Sequence, residues 1–211
     1  MNDLIVLGSG VHAGEMAEIV GRINRLAPTW RLLGYLAREG QANRVGAELN
    51  GYRVLGTSAK LADYPDCHLA FEHDFHDPID APRPRWASLV DPSAFVSAAA
   101  TIGAGCVIYP NCFVGLNAHL SDRVFMLSGS VVNHDDVLED HVTVCSNVSL
   151  AGSVHVGRGS YLGQACTIRQ FIRVGSKSLV GMGSVVIRDV PSGSVVAGNP
   201  ARLLPPKEKV T

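Results

Sequence analysis

The run Val131-Val132-Asn133-His134-Asp135-Asp136-Val137-Leu138-Glu139-Asp140-His141-Val142-Thr143-Val144 puts an aliphatic residue at every sixth position: Val132, Leu138, Val144. The spacing extends without a break in both directions. Seventeen positions from Val90 to Val186, among them Ile102, Val114, Met126, Leu150, Leu162 and Val174, are all Val, Ile, Leu or Met. The next residue is often glycine (Gly103, Gly115, Gly157, Gly163, Gly175, Gly181), and four places on the residue is small or branched, as at Ala118, Ser130, Val142 and Cys166. A helix repeats its apolar face about every 3.6 residues and a half-buried strand every two, so neither fits. Six is the period of a parallel β-helix built from hexapeptides. Each hexad makes one flat side and one corner, and three make a triangular coil of about 18 residues. The aliphatic residue points inward and stacks on its equivalents, the small residue fills the corner, and Gly or Asn supplies permissive backbone angles there. No hexad can bury its apolar side alone, so stability comes from stacking. Nothing interrupts the register between Val90 and Pro191, so this coil carries no long external loop.

The first ninety residues follow another pattern. Leu4 to Leu7 reads as a strand, Gly8-Ser9-Gly10-Val11-His12-Ala13-Gly14 as a turn, and Glu15 to Val20 as the start of a helix. That order opens a nucleotide-binding βαβ unit. Leu32 to Leu36, Leu69-Ala70-Phe71 and Ala87 to Val90 read as further strands, and 78–88, with its prolines, as a connector. The glycines at 8, 10 and 14 miss the spacing of the dinucleotide fingerprint by one residue, and Ala37-Arg38 stands where that fingerprint needs a carboxylate. The turn is then either a tight turn only, or a helix start whose N–H groups face an anion such as a pyrophosphate. The organisation expected is an α/β N-terminal Rossmann-like domain over 1–88 and a β-helix over 89–211.

Composition narrows the function. With 18 Lys and Arg against 19 Asp and Glu, the net charge of −1 argues against nucleic acid as a partner. No apolar run reaches the ~18 residues of a membrane helix. The opening stretch carries Asp3 and no basic region, so no secretory leader is expected. Five cysteines without a C-x-x-C pair argue against a disulfide framework and for the cytoplasm.

Four histidines lie in the coil. His119 and His155, 36 residues apart, share a column two coils apart and so stand ~10 Å from each other, too far to share a metal within one chain. His141 follows Glu139 and Asp140 on a polar face. His134 differs, because one coil later, at 134 plus 18, stands Gly152. Glycine admits close approach to its backbone. A histidine beside a bare N–H can act as a base next to an oxyanion donor, with Asp135 or Asp136 orienting the ring. Two other classes stay open on the same coil: a metalloenzyme of the γ-carbonic-anhydrase kind, with histidines around zinc at a subunit interface, and a non-catalytic scaffold.

Several stretches together resemble the bacterial sugar O-acyltransferase family, which includes sialic acid O-acetyltransferases and nucleotide-linked amino-sugar N-acetyltransferases. They are Gly8 to Gly14; Gly51-Tyr52-Arg53-Val54-Leu55-Gly56; Asn133-His134-Asp135; Leu150-Ala151-Gly152; and Val190-Pro191 with Ala197-Gly198-Asn199-Pro200-Ala201. The chain departs from the family at Ala37-Arg38, at Leu127-Ser128, and at Thr143. The resemblance implies a left-handed β-helix that binds acetyl-CoA as co-substrate, needs no metal and works as a homotrimer. It implies direct acetyl transfer to the amino group of a nucleotide-linked amino sugar, or to a hydroxyl acceptor such as sialic acid. His134 is then the general base, Asp135 holds its ring, and the Gly152 N–H meets the oxyanion. Pantetheine runs past Gly152, Ala165 and Gly183, and Gly8, Gly10 and His12 grip the acceptor.

Overall fold

The computed structural model describes residues 1–73 and 85–205. The chain divides into two compact units: 1–92 together with 104–107, and 93–103 together with 108 onward. Most of the connector expected over 78–88 lies outside the described residues.

In the first unit, β1 (Asn2–Leu7) leads through α1 (Val11–Leu26) to β2 (Trp30–Ala37). Then follow β3 (Glu48–Leu49), β4 (Tyr52–Thr57), β5 (His68–Phe71), β6 (Arg85–Trp86) and β7 (Leu89–Val90). The sheet order is β3-β4-β2-β1-β5-β6, parallel except for the β3–β4 hairpin. β1 lies in the middle of this sheet, so Leu4, Ile5, Val6 and Leu7 are all buried, the unbroken apolar run that a strand covered on both faces requires. α1 buries Ala13, Met16, Ala17, Ile19 and Val20 along one stripe. Asn24 closes the turn into β2: its Oδ1 accepts the N–H groups of Thr29 and Trp30 at 3.0 and 2.9 Å. Arg22 donates to both oxygens of buried Asp91 at 2.6 and 3.0 Å, a bidentate pair that offsets the burial of the carboxylate. The helix and the strands expected at Leu4–Leu7, Leu32–Leu36 and Leu69–Phe71 fall where the sequence placed them, as α1, β1, β2 and β5. The strand β4 and its hairpin were not anticipated, because the residues there read as a motif without clear alternation.

The second unit is the expected parallel β-helix. From Phe95–Val96 to Val185–Val186 a two-residue strand recurs every six residues. Partners are 18 residues apart, as in Val114 with Val132 and Ile168 with Val186. The inward column from Ile108 to Ile168 is fully buried, whereas Val96 and Ile102 are half-exposed, since the first rungs have a coil on one side only. Buried serines satisfy their hydroxyls on backbone: Ser130 donates to the Cys145 carbonyl at 2.7 Å and Ser160 to that of Gly175 at 2.8 Å.

One expectation about the corners needs correction. The glycines after the aliphatic residues are not there for backbone angle but for space. A Cβ on Gly163 would lie 2.6 Å from the Val180 carbonyl oxygen, and one on Gly115 2.9 Å from the His134 nitrogen. The left-handed backbone falls two residues later, where Asn111, Asn117, Arg123, Asp135, His141, Asn147, Ala165, Phe171 and Lys177 all have positive φ. Asparagine and aspartate tolerate that region best, so only part of the column advertises it.

Among the described residues no helix is long and apolar enough to cross a membrane. Truncating one stacked residue, Leu150→Ala, is expected to lower the unfolding free energy by about 2–5 kcal/mol in a denaturant titration, the range for a buried leucine.

Candidate active site

His134 occupies the corner between the sides Val131–Val132 and Val137–Leu138. Its ring stands outside the prism, 57% exposed. Nδ1 lies 2.9 Å from Asp135 Oδ2, and Asn117 Nδ2 donates to the other Asp135 oxygen at 3.1 Å. These contacts, the histidine's foremost, hold the Asp135 carboxyl below the usual carboxylate range. An ionised carboxylate only accepts, so Nδ1 carries the hydrogen and the lone pair is on Nε2. Nε2 in turn faces Gly152. A Cβ on Gly152 would lie 2.8 Å from Nε2 and 2.9 Å from Cε1, so only glycine leaves room for the ring. Among the described residues no acceptor takes the Gly152 N–H. The structure thus joins His134, Asp135 and Gly152, the three residues expected to act together, into one cluster on successive coils.

Of the two aspartates that could have oriented the imidazole, only Asp135 does. Asp136 turns inward, is fully buried, and accepts the Asn133 N–H at 2.6 Å and the Val154 N–H at 2.8 Å. Burial pushes its pKa up to about 6, against the pull of those two N–H groups.

Ala165 and Gly183 stand elsewhere. Both are exposed, with φ of +57° and +66°, on the column of Asn111, Gly129 and Asn147. That corner is separated from His134 by one flat side of the prism, so a single chain does not gather the expected pantetheine residues around the base. Two other histidines of the coil have partners of their own: His119 Nδ1 is 2.5 Å from the Thr101 hydroxyl and its Nε2 3.3 Å from that of Ser121, and His155 Nε2 is 2.8 Å from Glu139. Val137 lies between those two histidines in their column. Among the described residues no group of three or more His, Cys, Asp or Glu is arranged to hold a metal. Burial raises the thiol pKa of Cys145, and that of Cys166 to about 12, so these two remain protonated.

In the first unit the glycine turn has an occupant of its own. Gly10 caps α1, and its N–H donates to Glu72 Oε2 at 3.1 Å. A Cβ on Gly8 or Gly10 would fall 2.4 or 2.3 Å from a Glu72 carboxylate oxygen. The anion that a helix start attracts is therefore supplied by the chain. A pyrophosphate at Gly8 and Gly10 would meet this carboxylate, which corrects the expectation that these N–H groups face a free anion. His12 pairs with Glu15 at 2.9 Å and packs edge-on against His73, ring centroids 4.9 Å apart. Glu72 escaped the sequence reading, because only the strand pairing brings it to the turn. It directly follows β5, which pairs with β1, so its side chain emerges beside the turn that β1 feeds.

No protein-family profile matches the chain. The acetyltransferase domain of PglB from Neisseria gonorrhoeae superposes with a TM-score of 0.86 at 28% identity, covering 97% of this chain and 100% of that one. The same domain has been solved in complex with acetyl coenzyme A. Acyl-[acyl-carrier-protein]–UDP-N-acetylglucosamine O-acyltransferase from Stutzerimonas stutzeri is 35% identical over 82 residues, 39% of this chain and 32% of that protein. The proteins that this chain resembles are thus named as acyltransferases and acetyltransferases. The chain spans about a third of the length of the curated relatives it matches. GDP-perosamine N-acetyltransferase from Caulobacter crescentus, solved with CoA and GDP-perosamine, shares the fold at 20% identity with a TM-score of 0.83 over 98% of both chains. The second unit is a left-handed β-helix.

Two measurements test this geometry. Gly152→Ala should push the His134 ring from its place while the coil stays folded, visible in a crystal structure as a changed side-chain rotamer at 134. The raised pKa of Asp136 means that the folded chain holds this proton more tightly than the unfolded one. Its favourable contribution is complete below about pH 4 and lost as pH rises to about 6. The groups facing this turn, His134 and Asp135, are retained in Asp136→Ala. Melting temperatures should therefore shift toward the variant, relative to wild type, between pH 4 and pH 7.

Proposed function

We propose that the protein is an acetyltransferase that moves the acetyl group of acetyl-CoA to the amino group of a nucleotide-linked amino sugar. The observation that carries this reading is the exposed His134 ring standing with Nε2 against Gly152. His134 Nε2 takes a proton from the attacking amine as its nitrogen bonds to the thioester carbon. The Gly152 N–H stabilises the oxyanion, an effect worth ~3–4 kcal/mol for one such donor. Collapse of the tetrahedral intermediate breaks the carbon–sulfur bond, and the leaving thiolate recovers the proton from the imidazolium. Asp135 keeps Nδ1 protonated throughout and stabilises the charged ring. No covalent acyl-enzyme is required. The name of the PglB acetyltransferase domain and its complex with acetyl coenzyme A support the acyl donor.

The site is completed in this reading by a second copy within a homotrimer. Leu116, one coil before His134 in its column, is 58% exposed, and Phe171, two coils beyond Asp135, is 70% exposed. Met182 beside Gly183 is 78% exposed. Apolar residues of this size at both corners suit burial between protomers. The Ala165 and Gly183 corner of one copy then lies along the His134 corner of the next, and pantetheine threads between them. The first unit receives the acceptor near Gly8, Gly10 and His12, with Glu72 favouring donor-bearing groups over phosphate there. The five buried free thiols fit a cytoplasmic, reducing setting.

Transfer to a hydroxyl is the second reading, favoured by the O-acyltransferase names among the relatives. His134→Ala is expected to lower acetyl-CoA-dependent thiol release by at least ~10²-fold, with unchanged oligomeric mass. Free thiol measured across a panel of nucleotide-linked amino sugars and sialic acid separates the two acceptors. Full activity of the variant would remove His134 from the mechanism, and release of no thiol with any acceptor would leave the scaffold reading.

A further inference from the structure

Asp136 breaks the pattern of its own column. The equivalent positions are Ala100, Ala118, Val154, Ile172 and Val190, all apolar, and at 136 a carboxylate is fully buried. Burying a carboxylate is unfavourable unless its oxygens are satisfied, and here they take two N–H groups that elsewhere serve the coil. The first residue of a corner ordinarily donates to the coil above: Gly115 to Val132, Leu127 to Val144, Cys145 to Leu162, Ala151 to Ile168. By that rule Asn133 would donate to the carbonyl of Leu150, and it donates to Asp136 Oδ2 instead. At several corners the fourth residue donates back to the first, as Ala118 to Gly115, Val148 to Cys145 and Cys166 to Gly163. By that rule Val154 would donate to Ala151, and it donates to Asp136 Oδ1.

The consequence is local. Strand pairing between Val131–Val132 and Ser149–Leu150 is reduced to Val131 with Ser149. The corner above is no longer the standard one, since Gly152 (φ +99°) and Ser153 (φ +53°) are both left-handed. Among the described residues no other corner of the coil has two such residues in succession. This distorted corner is the one that presents Gly152 to His134.

We propose that Asp136 is a positioning residue: its two oxygens replace two regular backbone bonds and so hold the Gly152 turn open against the His134 ring. Asp136 touches neither the ring nor a substrate group. It acts through Asn133 on one coil and Val154 on the next, which set the height and tilt of the two turns that meet at Nε2. The inference rests on the proposed roles of His134 and Gly152 for its catalytic meaning, though its structural part stands without them.

The test uses the full-length protein with Asp136→Ala, which restores the apolar residue usual in this column, and Asp136→Asn, which keeps the shape and a single acceptor. In a crystal structure of Asp136→Ala, Asn133 should donate to Leu150, Val154 to Ala151, and Gly152–Ser153 should become an ordinary corner. Melting temperature at pH 7 should be unchanged or higher, because a buried charge is removed and two backbone bonds return. Alongside, kcat should fall about 10²-fold, the scale of losing an oxyanion donor, with KM for acetyl-CoA nearly unchanged and Asp136→Asn in between. An unaltered Gly152 turn in Asp136→Ala overturns the proposal, as does a kcat within about threefold of wild type beside an inactive His134→Ala. If His134→Ala is itself fully active, the functional reading fails, and the structure of Asp136→Ala alone decides whether Asp136 shapes the turn.

Discussion

Parallel hydrogen bonding between chain segments 18 residues apart is the constraint on which the second unit depends. Strands of two residues are far too short to persist alone, and each gains its partners only from the coils before and after it. The spacing between coils is then set by the backbone and leaves little tolerance at the corners. That is why a Cβ on Gly157 would come within 2.5 Å of the Ser176 nitrogen. The same closeness makes the candidate site possible. A ring projecting from one coil lies against the backbone of the next with no loop needed to bring it there.

Periodicity made most of this legible. A phase kept from Val90 to Val186 fixes which residues face inward, and the addition of 18 fixes which residues are stacked, so the meeting of His134 with Gly152 could be read before any coordinates. What periodicity does not carry is exception. Asp136 occupies a position whose phase says apolar, and nothing in the spacing tells whether such a carboxylate swings out to the imidazole or in to the backbone. Burial and two N–H partners decide it. The corner glycines misled for a related reason. Glycine serves both an unusual dihedral and a close approach, and only the three-dimensional neighbours distinguish them.

The first unit was legible in its order of elements and less so in its chemistry. A glycine turn between strand and helix suggests an anion, and the helix start at Gly10 does have one. It comes from Glu72, 62 residues later in the chain, through a strand pairing that local sequence does not reveal. The Glu72 side chain thus already takes the Gly10 N–H that an external anion would need.

The threefold winding also bears on how such a chain can vary. Gain or loss of a whole turn leaves every edge in its original azimuth, so proteins of this kind can grow taller or shorter while the histidine keeps its compass bearing. An indel of a single hexad swings everything downstream by a third of a revolution and carries the glycine to another edge of the triangle. Between His134 and Gly152 not even a whole turn can be added, because the two must stand on successive coils, so length variation compatible with the imidazole–amide pair falls outside the stretch that joins them.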